Sequence, residues 1–146
     1  MPLESQEVEG NLMPEVRRRR SPVGEMVLHD NGVIVHTLDH GALIDERIAV
    51  EVIDATKDIA DGRRVAVVVD LRSIAFADRG SRQTFASDPS GGIEVATALV
   101  ATARVAEFMA SQFVTTAKPE RPTAIFKDVE EASRWAADQV QSSLEA

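Results

Sequence analysis

Residues 65–85 read VAVVVDLRSIAFADRGSRQTF and carry the clearest structural signal in the chain. The run from Val65 to Leu71 is apolar on both alternations, which is the pattern of an internal parallel strand covered on two sides. After a short apolar segment, Asp78 precedes small and polar residues, as at the first turn of a helix. The stretch therefore predicts a buried strand, a loop and a short helix over residues 79–87.

Strand and helix patterns alternate on both sides of this stretch. Asn31 and Gly32 lie between two apolar runs, where a two-residue hairpin turn with positive φ at both positions is expected. Asp128 and Glu131 have the spacing of a capping box at a helix start. The patterns predict strands near residues 25–30, 33–38, 65–71, 95–101 and 123–127, and helices over residues 42–60, 79–87, 103–117 and from 128 onward.

This alternation indicates an α/β fold, with a mixed, mostly parallel sheet of about five strands, an N-terminal hairpin and about four helices. The strands over residues 65–71 and 95–101 are apolar on both alternations. If the crossovers leave the helices on one face, the other face needs a cover, namely the N-terminal segment, a second subunit or a ligand. We therefore predict a homodimer.

The composition fits one globular domain, with 146 residues of which 44% are hydrophobic and 27% are charged. The formal charge of −8 argues against a general nucleic-acid binder, which needs clustered Lys and Arg. The chain has no cysteine, which excludes disulfides, thiolate metal sites and cysteine nucleophiles. No apolar run approaches the ~20 residues that span a bilayer, and the first residues lack the apolar core of a signal peptide. We expect a cytoplasmic protein without an integral membrane segment.

Residues 1–23 show no sustained period and carry their charges in blocks. We expect a mobile tail there, followed by one α/β domain over residues 24–146. The run from Arg17 to Arg20 is expected to be solvated, and the alternative is binding to an acidic partner or to lipid headgroups.

Candidate catalytic and metal-binding groups are sparse. His29, His36 and His40 lie close in sequence, and in the register of a two-residue turn His29 and His36 share one face as diagonal neighbours. Their spacing matches no known ligand motif, and no Gly-x-Ser-x-Gly elbow is present. We therefore expect no metal, no cofactor and no catalytic residues, in a protein that is not an enzyme.

The predicted helix over residues 103–117 carries three candidate residues for an interaction or a ligand. Met109 and Phe113 lie on a broad apolar arc, whereas Phe108 falls in the middle of the polar arc. Phe108 either packs under a neighbouring element or anchors a protein partner, a second copy or a lipid. Together with Met109 and Phe113, it is also a candidate to line a pocket of modest size.

Two segments, VVVDLRSIAF over residues 67–76 and PERPTAIFKDVEEASRW over residues 119–135, carry a family resemblance. They resemble the STAS-like, SpoIIAA-like family of anti-sigma-factor antagonists, and more closely a small bacterial branch related to both STAS and CRAL-TRIO lipid-exchange domains. The resemblance covers most of the domain and none of the first residues. It implies a sheet with helices largely on one face and no known enzymatic activity.

Antagonists of this family that switch by phosphorylation read Asp-Ser-Ser-Gly at a helix start, and the second serine is the acceptor. Aligning Asp78 with that Asp puts Arg79 and Gly80 at the serine positions and Ser81 at the glycine. The acceptor position therefore has no hydroxyl, and the resemblance implies that the phosphoserine switch is absent. Ser81 is the phosphorylation candidate if the register shifts by one, and Asp78 is expected to cap the helix.

Two functional hypotheses follow. The leading one is a non-enzymatic regulatory or scaffolding domain that acts through protein–protein interaction. The alternative, from the CRAL-TRIO kinship, is a binder or carrier of a small apolar ligand or lipid. A pocket near Phe113 would favour the ligand, and a flat apolar face would favour a protein partner.

Overall fold

The computed structural model describes residues 13–87 and 90–145. The strands in this part of the chain are β1 (Glu15–Ser21), β2 (Gly24–His29), β3 (Val33–Leu38), β4 (Ala42–Ile44), β5 (Val65–Asp70), β6 (Ile74–Ala77), β7 (Glu94–Val100) and β8 (Thr123–Phe126). The helices are α1 (Glu46–Ala60), α2 (Arg79–Ala86), α3 (Arg104–Gln112) and α4 (Val129–Glu145), and a π-helical turn (Phe113–Ala117) continues α3.

The main sheet has the strand order β1-β2-β3-β5-β7-β8. The first three strands form an antiparallel meander, and β3, β5, β7 and β8 run parallel to one another. β4 and β6 form a separate two-stranded parallel sheet. This is the mixed, mostly parallel α/β fold that the sequence predicts, with β1, β4 and β6 as strands that it does not predict.

Helices cover both faces of the main sheet. α4 packs on one face of β3, β5 and β7, and α1, α2 and α3 pack on the opposite face. On the α4 side the buried contacts join Ala132, Ala136 and Val140 to Val33, Ala66, Val68, Ala96, Ala98 and Val100. The second apolar face, for which the sequence suggested the N-terminal segment, a second subunit or a ligand as a cover, is covered by the C-terminal helix of the same chain. The homodimer stays a prediction, but it loses this argument.

β1 corrects the expected N-terminal tail. Residues 1–12 lie outside the described residues, but Glu15–Ser21 pairs antiparallel with β2 at the edge of the sheet. The strand is hard to predict because arginines occupy both of its faces and hide the alternation. Charged edge strands resist pairing with other chains, and exposed ion pairs contribute at most about 1 kcal/mol each. The arginine run pairs within the chain: Arg17 with Asp61, Arg18 with Glu15 and Glu25, Arg19 with Asp58, and Arg20 with Asp39.

The hairpin between β2 and β3 has a longer loop than the sequence predicts. Asp30, Asn31 and Gly32 separate the two strands, and of these only Gly32 has a positive φ, at 87°. This is a three-residue loop with glycine at the left-handed position. The added residue pairs Met26 with His36, so His29 and His36 point to opposite faces of the sheet. The predicted diagonal pair of histidines is wrong.

Two predicted helices are shorter in the structure. Residues 42–44 belong to β4, and α1 begins after Asp45, whose side chain accepts the Ile48 N–H at 2.8 Å. Asp61 ends α1 in the left-handed conformation, at φ 51°. The predicted helix over residues 103–117 divides into α3 and the π-helical turn, which ends at Lys118 with φ 53°.

Candidate functional site

A cavity of about 90 Å³ lies between the main sheet and the helices α1, α2 and α3. Its floor includes Val67, Val69 and Leu99, and its roof includes Met109 and Phe113. Nearly all of its walls are apolar side chains from separate elements. It is therefore a candidate site for a small ligand.

The parallel register of the sheet builds the floor. His36 on β3 is level with Val69 on β5, which is level with Leu99 on β7. Val67 and Thr97 form the next row on the same face. Because side chains of paired strands project together, these rows present one continuous surface to the helices above.

The polar wall of the cavity centres on Arg121, from the loop before β8. Its Nε donates to Thr97 Oγ1 at 2.7 Å, and its Nη2 donates to the carbonyl of Phe85 at 2.8 Å. Thr97 Oγ1 in turn donates to Glu94 Oε2 at 2.6 Å, and the same carboxylate oxygen lies 3.3 Å from Arg121 Nε. The Arg121 side chain is only 8% exposed. This network holds the guanidinium through Nε and Nη2 and does not include Nη1.

Arg121 Nη1 is a buried donor without a hydrogen-bond partner among the described residues. Buried polar groups in folded proteins are nearly always paired, and an unpaired one costs about 1–3 kcal/mol or more when charged. The position therefore calls for an acceptor that the described part of the chain does not supply.

Arg82 on α2 also lines the cavity and helps to hold its roof in place. Its Nη1 donates to the carbonyl of Ala77 and lies 3.8 Å from the sulfur of Met109. The backbone N–H of Ala77 donates to the same sulfur at 3.3 Å. These contacts fix Met109 over the floor of the cavity.

His36 adds a neutral polar group to the wall. It is almost completely buried, and burial lowers its pKa to about 4, against a smaller opposing effect of Asp39. Its Nε2 lies 2.8 Å from Ser21 Oγ at the end of β1. The imidazole is therefore uncharged at neutral pH.

The three candidate residues of the predicted helix over residues 103–117 lie in two different environments. Met109 and Phe113 are buried and line the cavity, as the alternative hypothesis requires of residues near a ligand. Phe108 is 53% exposed and does not line it. Phe113 also begins the π-helical turn.

The switch-loop residues serve the start of α2. Asp78 is its N-cap, as the sequence predicts, because its Oδ1 accepts the backbone N–H of Ser81 at 2.8 Å. The Ser81 hydroxyl is fully buried and donates to the Asp78 carbonyl at 2.8 Å. A Cβ at Gly80 would lie 3.2 Å from Glu46 Oε1, so a carboxylate occupies the space beside the former acceptor position. Arg79 is the first residue of the helix.

The polar wall is the part of the site that sequence reasoning misses. No recognised motif includes Glu94, Thr97 or Arg121. Ordinary strand residues separate Glu94 from Thr97, and Arg121 lies far from both in the chain. Arg121 reaches the other two because β7 and β8 are neighbours in the sheet. The one local signal is that Arg121 lies between Pro119 and Pro122 in a segment that carries the family resemblance.

Residues 13–87 and 90–145 contain neither a membrane-spanning helix nor a cluster of metal-binding side chains. No helix within these ranges is long and apolar enough to cross a bilayer. No group of three or more His, Cys, Asp or Glu side chains is placed there to bind a metal ion. His29, whose Nδ1 lies 2.8 Å from the carbonyl of Met13, fastens the start of β1 to β2.

Residues 26–139 match the family described as Domain of unknown function (DUF7793). The chain belongs to this family. A solved structure described as an uncharacterized protein from the DUF3478 family with a SpoIIAA-like fold, from Shewanella loihica PV-4, is similar to it with a TM-score of 0.50 and 10% identity. The similarity covers 82% of this chain and 90% of that chain. No protein of curated function matches.

At this identity the likeness shows the fold alone. The DUF7793 chain has a SpoIIAA-like fold, which confirms the fold that the sequence resemblance implies. The kinship with CRAL-TRIO domains stays a prediction.

Proposed function

We propose that this chain is a non-enzymatic binding module that holds a small, largely apolar ligand in the cavity between the sheet and α1, α2 and α3. The cavity itself carries the proposal. Protein interiors pack as densely as organic crystals and contain few voids larger than a water molecule. This space of about 90 Å³ is partly open to solvent, and its mainly apolar walls make it a concave site that a small ligand would fill.

The volume of the cavity limits the size of the ligand. An apolar cavity of about 150 Å³ holds a molecule of benzene, so about 90 Å³ suits a ligand of only a few non-hydrogen atoms. A long acyl chain would need the roof helices to move apart. The proposal therefore favours a small ligand over a lipid carried whole.

The shape of the roof supports the same site. Phe113 lies where the regular α3 changes to a π-helical turn. Such turns are rare, and they occur often at functional sites. Here the turn places an aromatic ring against the cavity beside Met109.

Xenon binding tests the cavity directly. In methyl NMR spectra under xenon pressure, we expect shifts at Val67, Leu99 and Met109 and none at Val50, which is exposed on α1. The variant Val69→Phe fills the floor and should abolish the shifts. Wild-type spectra that do not respond to xenon would contradict the proposal, and native mass spectrometry of gently purified protein would then be expected to show no adduct.

A protein partner is the second candidate, because one group of large apolar side chains is exposed. Leu43 and Phe76 are paired across the β4–β6 sheet and both are exposed, and α3, which carries the exposed Phe108, packs near β6. Neighbouring exposed apolar side chains are typical of interaction surfaces. This surface supports the leading sequence hypothesis of a regulatory or scaffolding domain without a phosphoserine switch, and the Phe108 variants in the Discussion test it.

A further inference from the structure

We infer that the ligand is a small monocarboxylic acid, bound as its anion, whose carboxylate accepts a hydrogen bond from Arg121. This inference rests on the proposed function and names the chemistry of the ligand. Its two supports are an unpaired donor on Arg121 and the balance of charge around the cavity.

The donor that lacks a partner in residues 13–87 and 90–145 is Nη1 of a side chain that is more than nine-tenths buried. Thr97, the carbonyl of Phe85 and Glu94 hold the other two nitrogens of the guanidinium, so the group is fixed rather than free to turn toward solvent. Carboxylates are the acceptors that match a guanidinium best, in both charge and geometry. The residue lines the cavity, so a ligand there has a charged donor within reach.

The charge balance points the same way. Among the described residues, the ionised groups that line the cavity are Arg82, Arg121 and Glu94, which are two cations and one anion. His36 does not change the balance, because burial keeps it neutral near pH 7. One further negative charge would bring these three groups to neutrality, and a carboxylate supplies it beside the guanidinium of Arg121.

The apolar walls define the rest of the ligand. Val67, Val69, Leu99, Met109 and Phe113 offer no polar side-chain group, so they suit a short hydrocarbon portion. A short acid with about three carbons has the two parts that this cavity requires, a single anionic end and a compact apolar end.

The experiment compares three probes of nearly equal shape by titration calorimetry on the full chain. These are propanoate, propanamide and propan-1-ol, and we expect the carboxylate to bind at least about tenfold more tightly than either neutral probe. Equal binding of all three would overturn the carboxylate inference and leave the proposed function standing. Failure of all three probes would also overturn the inference, and the xenon experiment then decides separately whether the cavity binds anything.

Variants at the polar wall sharpen the comparison. Arg121→Met should remove the preference for the carboxylate, but it also removes one partner of a buried ion pair and therefore destabilises the fold. Glu94→Gln keeps an acceptor for Thr97 and removes the competing anion, so it should tighten carboxylate binding severalfold and change alcohol binding much less. The matched control is Glu107→Gln, which removes an exposed carboxylate paired with Lys127 and should change neither affinity. A Glu94→Gln variant that binds the carboxylate no better than wild type would overturn the inference.

Discussion

The imidazole of His36 and the hydroxyl of Ser21 meet in a buried hydrogen bond, with 2.8 Å between Nε2 and Oγ. Ser21 ends β1 and His36 lies on β3, so the bond joins the edge strand to a wall of the cavity across β2. Burial lowers the pKa of His36 to about 4. At neutral pH an uncharged ring therefore makes the link between the edge strand and the cavity.

We expect the free energy of unfolding to decrease as the pH falls from 6.5 to 4. The unfolded chain protonates His36 near its ordinary pKa of 6.5, whereas the folded chain resists protonation down to about 4. The unfolded state therefore binds more protons in this window, and stability is fully present only above it. At ~1.36 kcal/mol for each pKa unit, the loss from this group approaches about 3 kcal/mol. Urea unfolding at several pH values measures it.

His36→Gln and His40→Gln are the matched variants for this prediction. The first removes the buried imidazole, so its stability should vary less between pH 6.5 and 4 than that of the wild type. His40 is exposed, and its replacement should leave the pH dependence as it is. If His36→Gln keeps the full wild-type dependence, another group controls the loss in acid.

Two glycines should respond to alanine in opposite ways. A Cβ at Gly24 would lie 2.2 Å from the carbonyl oxygen of Thr37, so the backbone of β2 or β3 must move. We expect Gly24→Ala to lower the free energy of unfolding by about 1–3 kcal/mol or more. At Gly80 the nearest atom is Oε1 of Glu46, the end of a flexible and exposed side chain, so Gly80→Ala should be neutral or add up to about 1 kcal/mol through helix propensity. Chemical denaturation distinguishes the two, and a Gly24→Ala variant as stable as wild type would contradict the close approach of these strands.

The central elements could be predicted from sequence because their signals are local. The apolar run at β5 and the Asp78 cap each depend on neighbouring residues, and the structure has both where they are expected. β1 fails this rule, since its arginines show no alternation and the strand exists through pairing with β2 and ion pairs to distant acids. The predicted register of the hairpin was wrong because Asp30 belongs to the loop. The pairing therefore shifts by one residue, which places every later side chain of the hairpin on the other face.

The cavity was predictable only in part. Met109 and Phe113 follow from helical periodicity, which places them on the buried side of α3. Arg121 and Glu94 meet through the order of β7 and β8 in the sheet, and no local pattern in the sequence encodes strand order. The polar half of the site is therefore a product of topology.

Ser81→Asp should destabilise the fold strongly. The Ser81 side chain is fully buried, and its hydroxyl has a partner in the Asp78 carbonyl that a carboxylate would repel. A buried charge without a partner costs about 3–5 kcal/mol, so we expect a large fall in the unfolding midpoint. Ser111→Asp, at an exposed position of α3, should change stability by no more than about 0.5 kcal/mol. A Ser81→Asp variant with wild-type stability would mean that the chain tolerates a charge there. That result would support Ser81 as a phosphorylation site.

Variants at Phe108 and Phe113 should distinguish an exposed position on the surface from a buried position in the cavity wall. Phe113 is buried, so Phe113→Ala should lower the free energy of unfolding by about 3–5 kcal/mol, because it removes a ring and enlarges an existing space. Phe108 is 53% exposed, so Phe108→Ser should change stability by no more than about 0.5 kcal/mol. If an interface that includes the exposed Phe108 joins two copies of the chain, Phe108→Ser should shift the mass in sedimentation equilibrium toward the monomer at an unchanged melting temperature. A loss of stability in Phe108→Ser as large as that in Phe113→Ala would instead assign Phe108 to the core and remove the main support for a protein partner.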